Sequence, residues 1–280
     1  MTHKSLKYHL LLLLFSVANF AMADVLEDNL SYSIRKGDSI LSHNGDKKFA
    51  LHSVMKFPQA LYVAHYLAEK EISIDQRVMV EKKDLMTDTW SPMLDTFDDK
   101  KEFTYRELLA LSLQQSDNNA CDILFRQCGE PEKVEEHIKS LEINDISIKK
   151  TEKEMHDNPV VADENCCTSS SMVMLLEWFY DHHNDNEYLQ YIWDLMLNCK
   201  TGQDRIRAAL PPGAQLVNKT GTGPKYYESY CETNDVGIVQ MPDGTHIPIA
   251  IFIGKGTYTI NIATIASQLL KLIMTNELIL

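Results

Sequence analysis

Ser53 and Lys56 stand three residues apart in Ser53-Val54-Met55-Lys56, a spacing that puts both side chains on one face of a helical turn. A hydroxyl and an amine so placed make an activated nucleophile, the amine accepting a proton as the oxygen attacks an acyl carbon. The spacing alone is a weak signal. Composition supplies about one such pair in a chain of this size, and Ser33-Ile34-Arg35-Lys36 and Ser147-Ile148-Lys149-Lys150 repeat it. The first of these lies in a strand-and-turn pattern, and the second precedes no apolar helix. Only Ser53 heads a long run of apolar residues at helical spacing, Val54, Met55, Ala60, Leu61, Val63, Ala64 and Leu67, with Pro58 near its start. The backbone N–H groups and dipole of such a helix favour negative charge developing beside its first turn.

Two further clusters carry hydroxyls and cations. Ser116-Asp117-Asn118 occurs once, between two helical patterns, and offers a second hydroxyl and an amide that both donates and accepts. Taken alone it reads equally well as an N-cap for a helix starting near Asn119. Lys219-Thr220-Gly221 ends a β-branched strand and leads into Thr222-Gly223, where an edge strand can present N–H groups and hydroxyls to an acyl substrate. Its double, Lys200-Thr201-Gly202, lies between helical patterns, and Gly202 there reads as a helix stop. The ten histidines include His182-His183 but no H-x-H-x-D cluster, which disfavours a metallo-hydrolase. His52, beside the candidate nucleophile, reads as structural rather than catalytic.

The elements that must position these groups are legible in outline. Leu30 to Ile34 and Ser39 to Ser42, separated by Lys36-Gly37-Asp38, read as a β-hairpin closed by an Asn44-Gly45-Asp46 turn. A buried helix over Ser53 to Lys70 follows. Helical patterns dominate the middle, at Tyr105 to Gln114, Ala120 to Gln127, Glu132 to Leu141, Ser169 to Tyr180 and Glu187 to Asn198, with little strand-like alternation. After Pro211-Pro212-Gly213 the pattern turns to strands at Gln215 to Lys219, Glu232 to Val239 and Ile247 to Ile253, then to a last helix over Ile260 to Thr275. Strands at both ends around a helical block imply an α+β fold: one antiparallel sheet built from the N- and C-terminal segments and flanked by helices, plus an all-helical lobe. The expected division is 24–70 with 208–280 as the α/β lobe and 71–207 as the helical lobe, with the site in the cleft between them.

Lys4 and Lys7, an apolar run from Leu10 to Val17 and Ala-Met-Ala ending at Ala23 have the order of a secretory signal peptide over residues 1–23. The run is too short to span a bilayer, which needs about 20 apolar residues, so the expectation is a periplasmic or secreted protein with no membrane association after cleavage. Losing those two lysines and no acid moves the formal charge from -13 to -15, which makes a nucleic-acid partner unlikely on electrostatic grounds. A monomer is the default. Six cysteines, Cys121, Cys128, Cys166, Cys167, Cys199 and Cys231, could pair in an oxidising compartment but lack the C-x-x-C repeats of a zinc site.

The three clusters in this order, each in its own local setting, resemble the signature of class A serine β-lactamases and their penicillin-binding relatives. The resemblance implies a carboxylate on a loop between the second and third clusters, to activate a deacylating water. Thr151-Glu152-Lys153-Glu154-Met155-His156 resembles that element, with Glu152 as the base, Glu154 as its competitor and His156 where many members carry asparagine. Trp90-Ser91-Pro92, Gln115 to Asp122 and Asn234-Asp235-Val236-Gly237 are similar to the PER-type branch, which includes cephalosporin-hydrolysing enzymes. The match runs from about Ser31 to the end. Class A members usually begin with a helix before the first strand, whereas here only Asp24 to Asn29 is left for it.

By that resemblance the substrate is a small-molecule β-lactam, no metal or cofactor is needed, and the reaction passes through an acyl-enzyme on Ser53. Lys56, or Glu152 through a water, would take the serine's proton. Backbone N–H groups of Ser53 and Thr222 would form the oxyanion hole. Ser116 would relay a proton to the leaving nitrogen, and Asn118 would position Lys56 and the substrate amide. Lys219, Thr220, Gly221, Thr222 and Arg205 would meet the substrate carboxylate, Trp90 would wall the cleft, and Glu152 with His156 would hold the hydrolytic water. A penicillin-binding sensor or D,D-peptidase that is acylated without efficient deacylation, and an inactive remnant, are the alternatives. Glu152 argues against the first pair and the intact motifs against the last.

Overall fold

A computed structural model describes residues 28–224, 232–254 and 261–275. The expected signal peptide, most of the short segment ahead of the first strand and Cys231 lie outside the described residues. Strand β1 (Leu30–Lys36) turns into β2 (Ser39–His43), and the chain returns at its other end as β8 (Gln215–Thr222), β9 (Thr233–Gln240) and β10 (His246–Ile253). All five form one antiparallel sheet in the order β2-β1-β10-β9-β8, as the terminal strand patterns require. Both faces of this sheet are covered, so its central strands read as near-continuous apolar runs such as Ile247-Pro248-Ile249-Ala250-Ile251-Phe252 rather than as alternation.

One face meets helix α8 (Ile262–Met274), through Ile249 and Ile251 against Ile265, Leu269 and Ile273. The other carries Val217, Val236, Ile238, Ala250 and Phe252 into the larger core shared with the helices. Those helices are α1 (Lys56–Glu69), α2 (Tyr105–Gln114), α3 (Asn118–Cys128), α4 (Pro131–Ser140), α5 (Glu152–Asp157), α6 (Ser169–His182) and α7 (Glu187–Leu197). Helix α1 buries Phe57, Leu61, Ala64 and Leu67 among α2, α3, α4 and α7, while α6 lies on the sheet. The helix that follows the N-terminal strands thus joins the helical core, and a helix from the middle of the chain covers the sheet.

The middle is not free of strands. Short β4 (Arg77–Glu81) pairs with β5 (Lys100–Thr104), and β3 (Lys48–Ala50) lies beside β7 (Cys166–Thr168), which pairs with β6 (Ile146–Ser147). Arg77-Val78-Met79-Val80-Glu81 and Lys100-Lys101-Glu102-Phe103-Thr104 are short, charge-rich and half-exposed, so their alternation is too brief to stand out from a solvated loop. The five described cysteines are free thiols, and Cys121, Cys128, Cys167 and Cys199 are buried. Among the described residues no helix is long and apolar enough to cross a membrane.

Helix α4 stacks His137 on His65 of α1, ring centroids 4.5 Å apart. Burial, and then the neighbouring His65, push His137 down to about 4. The unfolded chain takes up that proton near pH 6.5 and the folded chain not until about pH 4, so the unfolded state binds more protons across this window. Stability is expected to be retained above pH 6.5 and lost as pH falls through it. Melting temperatures between pH 4 and 7 check this: His137→Gln is expected to flatten the acid limb of the wild-type curve.

Candidate active site

The nucleophile sits on a short 3-10 turn, His52–Met55, which runs directly into α1. Three anchors fix that turn. Leu51 N–H donates to the Asn165 carbonyl at 2.8 Å, and Asn234 Nδ2 on β9 donates to the carbonyls of Ala50 and Leu51 at 2.8 and 3.2 Å. Gly221 on β8 approaches so closely that a Cβ there would lie 2.5 Å from the Leu51 carbonyl oxygen. This is why the third cluster ends in glycine. The rival serine-lysine pairs are structural: Ser33 bonds Ser169 inside the sheet-helix seam, and Ser147 donates to Glu135.

Lys56 is fully buried, a state a cation tolerates only with partners. Its Nζ donates to Ser53 Oγ at 2.8 Å, to Asn118 Oδ1 at 2.8 Å and to Glu152 Oε1. Glu152 opens α5, and its backbone N–H and that of Lys153 donate to the two carboxylate oxygens of Asp122 at 2.7 and 2.8 Å. Burial, and then the charge of Glu152, push Asp122 up to about 7. Glu154, the competing carboxylate, is instead the N3 partner of Thr151 in a capping box and faces solvent. Asn165 closes the loop that carries Glu152, accepting from Lys149 and Lys150 N–H and donating to the Lys150 carbonyl.

The second cluster divides its work. Asp117 caps α3 by accepting from Ala120 N–H, while its carboxylate also accepts from Ser91 Oγ and Met93 N–H. Ser116, held at a positive φ of 61°, faces the third cluster and accepts from Lys219 Nζ at 2.9 Å. Asn118 holds Lys56 with its carbonyl and Thr89 Oγ1 with its amide. The cap is thus made by Asp117, which leaves Ser116 and Asn118 turned towards the two buried lysines.

Lys219 is fully buried on β8, the edge strand of the sheet. Burial, and then the charge of Lys56, push its amine down to about 7. Thr220 Oγ1 lies 2.5 Å from Thr201 Oγ1. The apparent duplicate Lys200-Thr201-Gly202 thus supports the third cluster, and since α7 ends at Leu197, Gly202 is not its stop but a turn whose carbonyl accepts from Arg205 N–H. Arg205 precedes a 3-10 turn rather than riding a helix, and its guanidinium donates to Thr222 Oγ1 at 2.6 Å and to the carbonyls of Gly221 and Asn234. Asp235, fully buried and pushed up to about 6 mainly by burial, accepts from Asn218 Nδ2 and Ile206 N–H behind it.

A cavity of about 220 Å³ opens over these groups, lined by Ser53, Asn118, Glu152, His156 and Thr222 among others. His156 lies at its rim with Nε2 3.2 Å from Asp88. Trp90, expected as a wall, is 64% exposed and spends its indole N–H on the Gln115 carbonyl at 2.8 Å. Its neighbour Thr89 lines the cavity instead. Asp122, Asn165, Asp235, Thr89 and Thr201 are the supporting residues that motif reading did not assign. Asp122, Asp235 and Thr201 lie inside stretches singled out in the sequence, Gln115 to Asp122, Asn234 to Gly237 and Lys200 to Gly202, whereas Asn165 and Thr89 carry no such signal.

The Beta-lactamase2 family, described as a beta-lactamase enzyme family, matches residues 22–273. The chain is 32% identical over 222 residues to Beta-lactamase VEB-1 of Pseudomonas aeruginosa, covering 78% of this chain and 74% of that protein. It is 30% identical over 212 residues to the extended-spectrum beta-lactamase PER-1 of the same organism, covering 75% and 69%. Among solved structures it is similar to the TLA-3 extended-spectrum beta-lactamase, with a TM-score of 0.83, 30% identity and coverage of 91% and 98%. It is likewise similar to a beta-lactamase from Chitinophaga pinensis DSM 2588, with a TM-score of 0.81, 29% identity and coverage of 90% and 93%.

Proposed function

The chain belongs to the beta-lactamase enzyme family, as a class A member of the PER-like branch that hydrolyses the cyclic amide of β-lactams, and from that premise we propose which residues carry the reaction. The observation that supports the assignment is the position of Lys56 Nζ, within hydrogen-bond reach of Ser53 Oγ, Asn118 Oδ1 and Glu152 Oε1 at once. Ser53 Oγ attacks the lactam carbonyl and gives up its proton towards Lys56 or Glu152, two groups already joined by a hydrogen bond. The oxyanion forms between the N–H groups of Ser53 and Thr222. The C–N bond then breaks, and the proton taken from Ser53 passes by way of Lys56 and Ser116 Oγ, which is held by Lys219, to the leaving nitrogen, so that Glu152 is a carboxylate again and Ser116 a hydroxyl. Glu152 next takes a proton from a water that attacks the acyl carbon, and Ser53 is released as the hydroxyl. Asn118 holds the substrate amide, His156 borders the water, and Lys219, Thr220, Gly221, Thr222 and Arg205 receive the substrate carboxylate.

Cephalosporins are among the substrates in this reading, in keeping with the extended-spectrum name of PER-1. The protein is exported through its first 23 residues to the periplasm or medium and acts as a monomer; of the two expected lobes, 24–70 with 208–280 and 71–207, α1 and α6 change places, α1 packing among the helices and α6 on the sheet. The acidic charge supports the absence of a nucleic-acid partner. Sustained turnover of a chromogenic cephalosporin by the purified chain is the expected result; a wild-type protein that stops after one stoichiometric burst would instead be a penicillin-binding sensor.

The buried amine of Lys219 gives that turnover a pH signature. Only its cation attracts the substrate carboxylate, and its pKa of about 7 in the free enzyme means that cation is lost as pH rises through 7. Accordingly kcat/KM for anionic β-lactams is expected to fall by about tenfold per pH unit on the alkaline side. In Lys219→Arg, whose guanidinium stays charged, this limb is expected to move to higher pH. An unchanged limb in that variant would remove Lys219 from the assignment.

A further inference from the structure

His52 and Glu232 form a pair that no step of the reaction above uses. His52 Nε2 lies 2.9 Å from Glu232 Oε2, with side chains 6% and 12% exposed. The histidine is held at a positive φ of 47°, a conformation that persists in a non-glycine residue only where the surroundings enforce it. Its position is the notable part. His52 immediately precedes Ser53, and the pair packs on Gly223, which immediately follows Thr222. A Cβ on Gly223 would fall 2.8 Å from His52 Nε2 and 3.0 Å from Glu232 Oε2, and the Gly223 N–H donates to the Glu232 carbonyl at 2.9 Å. The pair therefore crosses the seam between the nucleophile turn and the end of β8. The two proposed oxyanion donors lie on opposite sides of that seam, Ser53 N–H on the turn and Thr222 N–H on the strand, and His52, Ser53 and Thr222 all line the cavity.

We propose that His52 and Glu232 are a positioning pair that fixes the spacing and aim of the two oxyanion-hole donors. This rests on the assignment of Ser53 and Thr222 made above. A carboxylate-imidazole hydrogen bond is short and directional, so it fixes a seam that apolar contacts would let slide. Oxyanion donors act on charge that exists only in the transition state, so a loosened pair slows acylation while leaving ground-state binding largely intact. Because every β-lactam carbonyl develops that charge, the pair acts on all substrates alike.

The test compares His52→Ala, Glu232→Gln and the double variant of the full chain with the wild type and Ser53→Ala. Single-turnover acylation by a penicillin and a cephalosporin, KM, and inhibition by phenylboronic acid, whose tetrahedral adduct on the serine places an oxygen in the oxyanion hole, are the readouts. Each single change is expected to lower the acylation rate roughly 10- to 100-fold, equally for both substrates, with boronate affinity falling in parallel. The double variant is expected to be no worse than the weaker single variant, and His52→Gln, whose amide reaches towards the same carboxylate, to recover part of the rate. Unchanged acylation, additive losses, a change confined to KM, or failure of His52→Gln to recover any activity would overturn the pair's role while leaving the serine assignment standing. Turnover that survives in Ser53→Ala would overturn both.

Discussion

Ser53→Ala is expected to lower turnover of any β-lactam roughly 10⁴- to 10⁶-fold, the scale seen when an enzyme loses its covalent nucleophile. The change deletes one oxygen from a turn whose backbone is held by Asn165, Asn234 and the Gly221 approach, none of which touches that oxygen. Lys56 keeps Asn118 and Glu152 as partners, so the buried amine is not stranded. The variant should accordingly fold with a melting temperature close to that of the wild type and still bind substrate, which separates loss of chemistry from loss of structure. Intact-mass measurement after mixing with a penicillin checks it: the wild type passes through a covalent adduct, and Ser53→Ala should show none. An adduct on the alanine variant would place the nucleophile elsewhere.

Much of this arrangement was legible before any coordinates, and the reason is locality. Ser53 and Lys56 share a turn, Ser116 and Asn118 flank one cap, and Lys219 to Thr222 occupy one strand end, so each cluster is a fixed distance along a single element. The sheet was equally legible because β1 alternates Leu30, Tyr32 and Ile34 with serines, β9 carries Val236 to Val239, and β10 is one long apolar run. What local pattern could not supply is contact between elements. Asn165 holds the nucleophile turn through Leu51 N–H and the Glu152 loop through Lys149 and Lys150, across separations that leave no periodic trace. Asp235 under the Arg205 segment and Thr201 beside Thr220 are of the same kind. For Trp90, local pattern gives an aromatic beside a motif but not its partners: its carbonyl accepts from Asn118 N–H, its indole N–H donates to the Gln115 carbonyl, and its ring is largely exposed.

Charge explains why the clusters must meet as they do. Two lysines, Lys56 and Lys219, are fully buried in one site, and each would be costly alone. Lys56 is matched by the carboxylate of Glu152. Among the described residues Lys219 has no carboxylate in direct contact, only Ser116 Oγ and the Thr220 carbonyl, and burial, then the charge of Lys56, push its amine down. In the proposed assignment an anionic substrate corrects that shortfall: the carboxylate of a β-lactam would restore the missing charge and favour the cation. The site is thus assembled with its electrostatics incomplete on the side where substrate enters and complete on the side where chemistry starts.

Glu152→Gln tests the completed side, and its expected result differs in kind from that of Ser53→Ala. The amide keeps the shape of the side chain and can still accept from Lys56, so the Asp122 bonds to the α5 backbone and the loop closure at Asn165 remain. What is lost is a base able to take a proton from water, a function worth roughly 10²- to 10⁴-fold. If Lys56 can serve as the acylation base, the acyl-enzyme forms and then stalls: one equivalent of chromogenic product appears in a burst, steady turnover falls by about that factor, and the intact mass stays raised by one acyl group. If the serine proton must instead travel to Glu152, the burst itself slows in proportion and no adduct builds up. Both outcomes keep Glu152 in the mechanism and divide on which base acts first. Glu154→Gln, which alters only a solvent-facing capping box, is expected to turn over at nearly the wild-type rate, and a comparable loss there would mean that the loop's stability rather than its base had been measured.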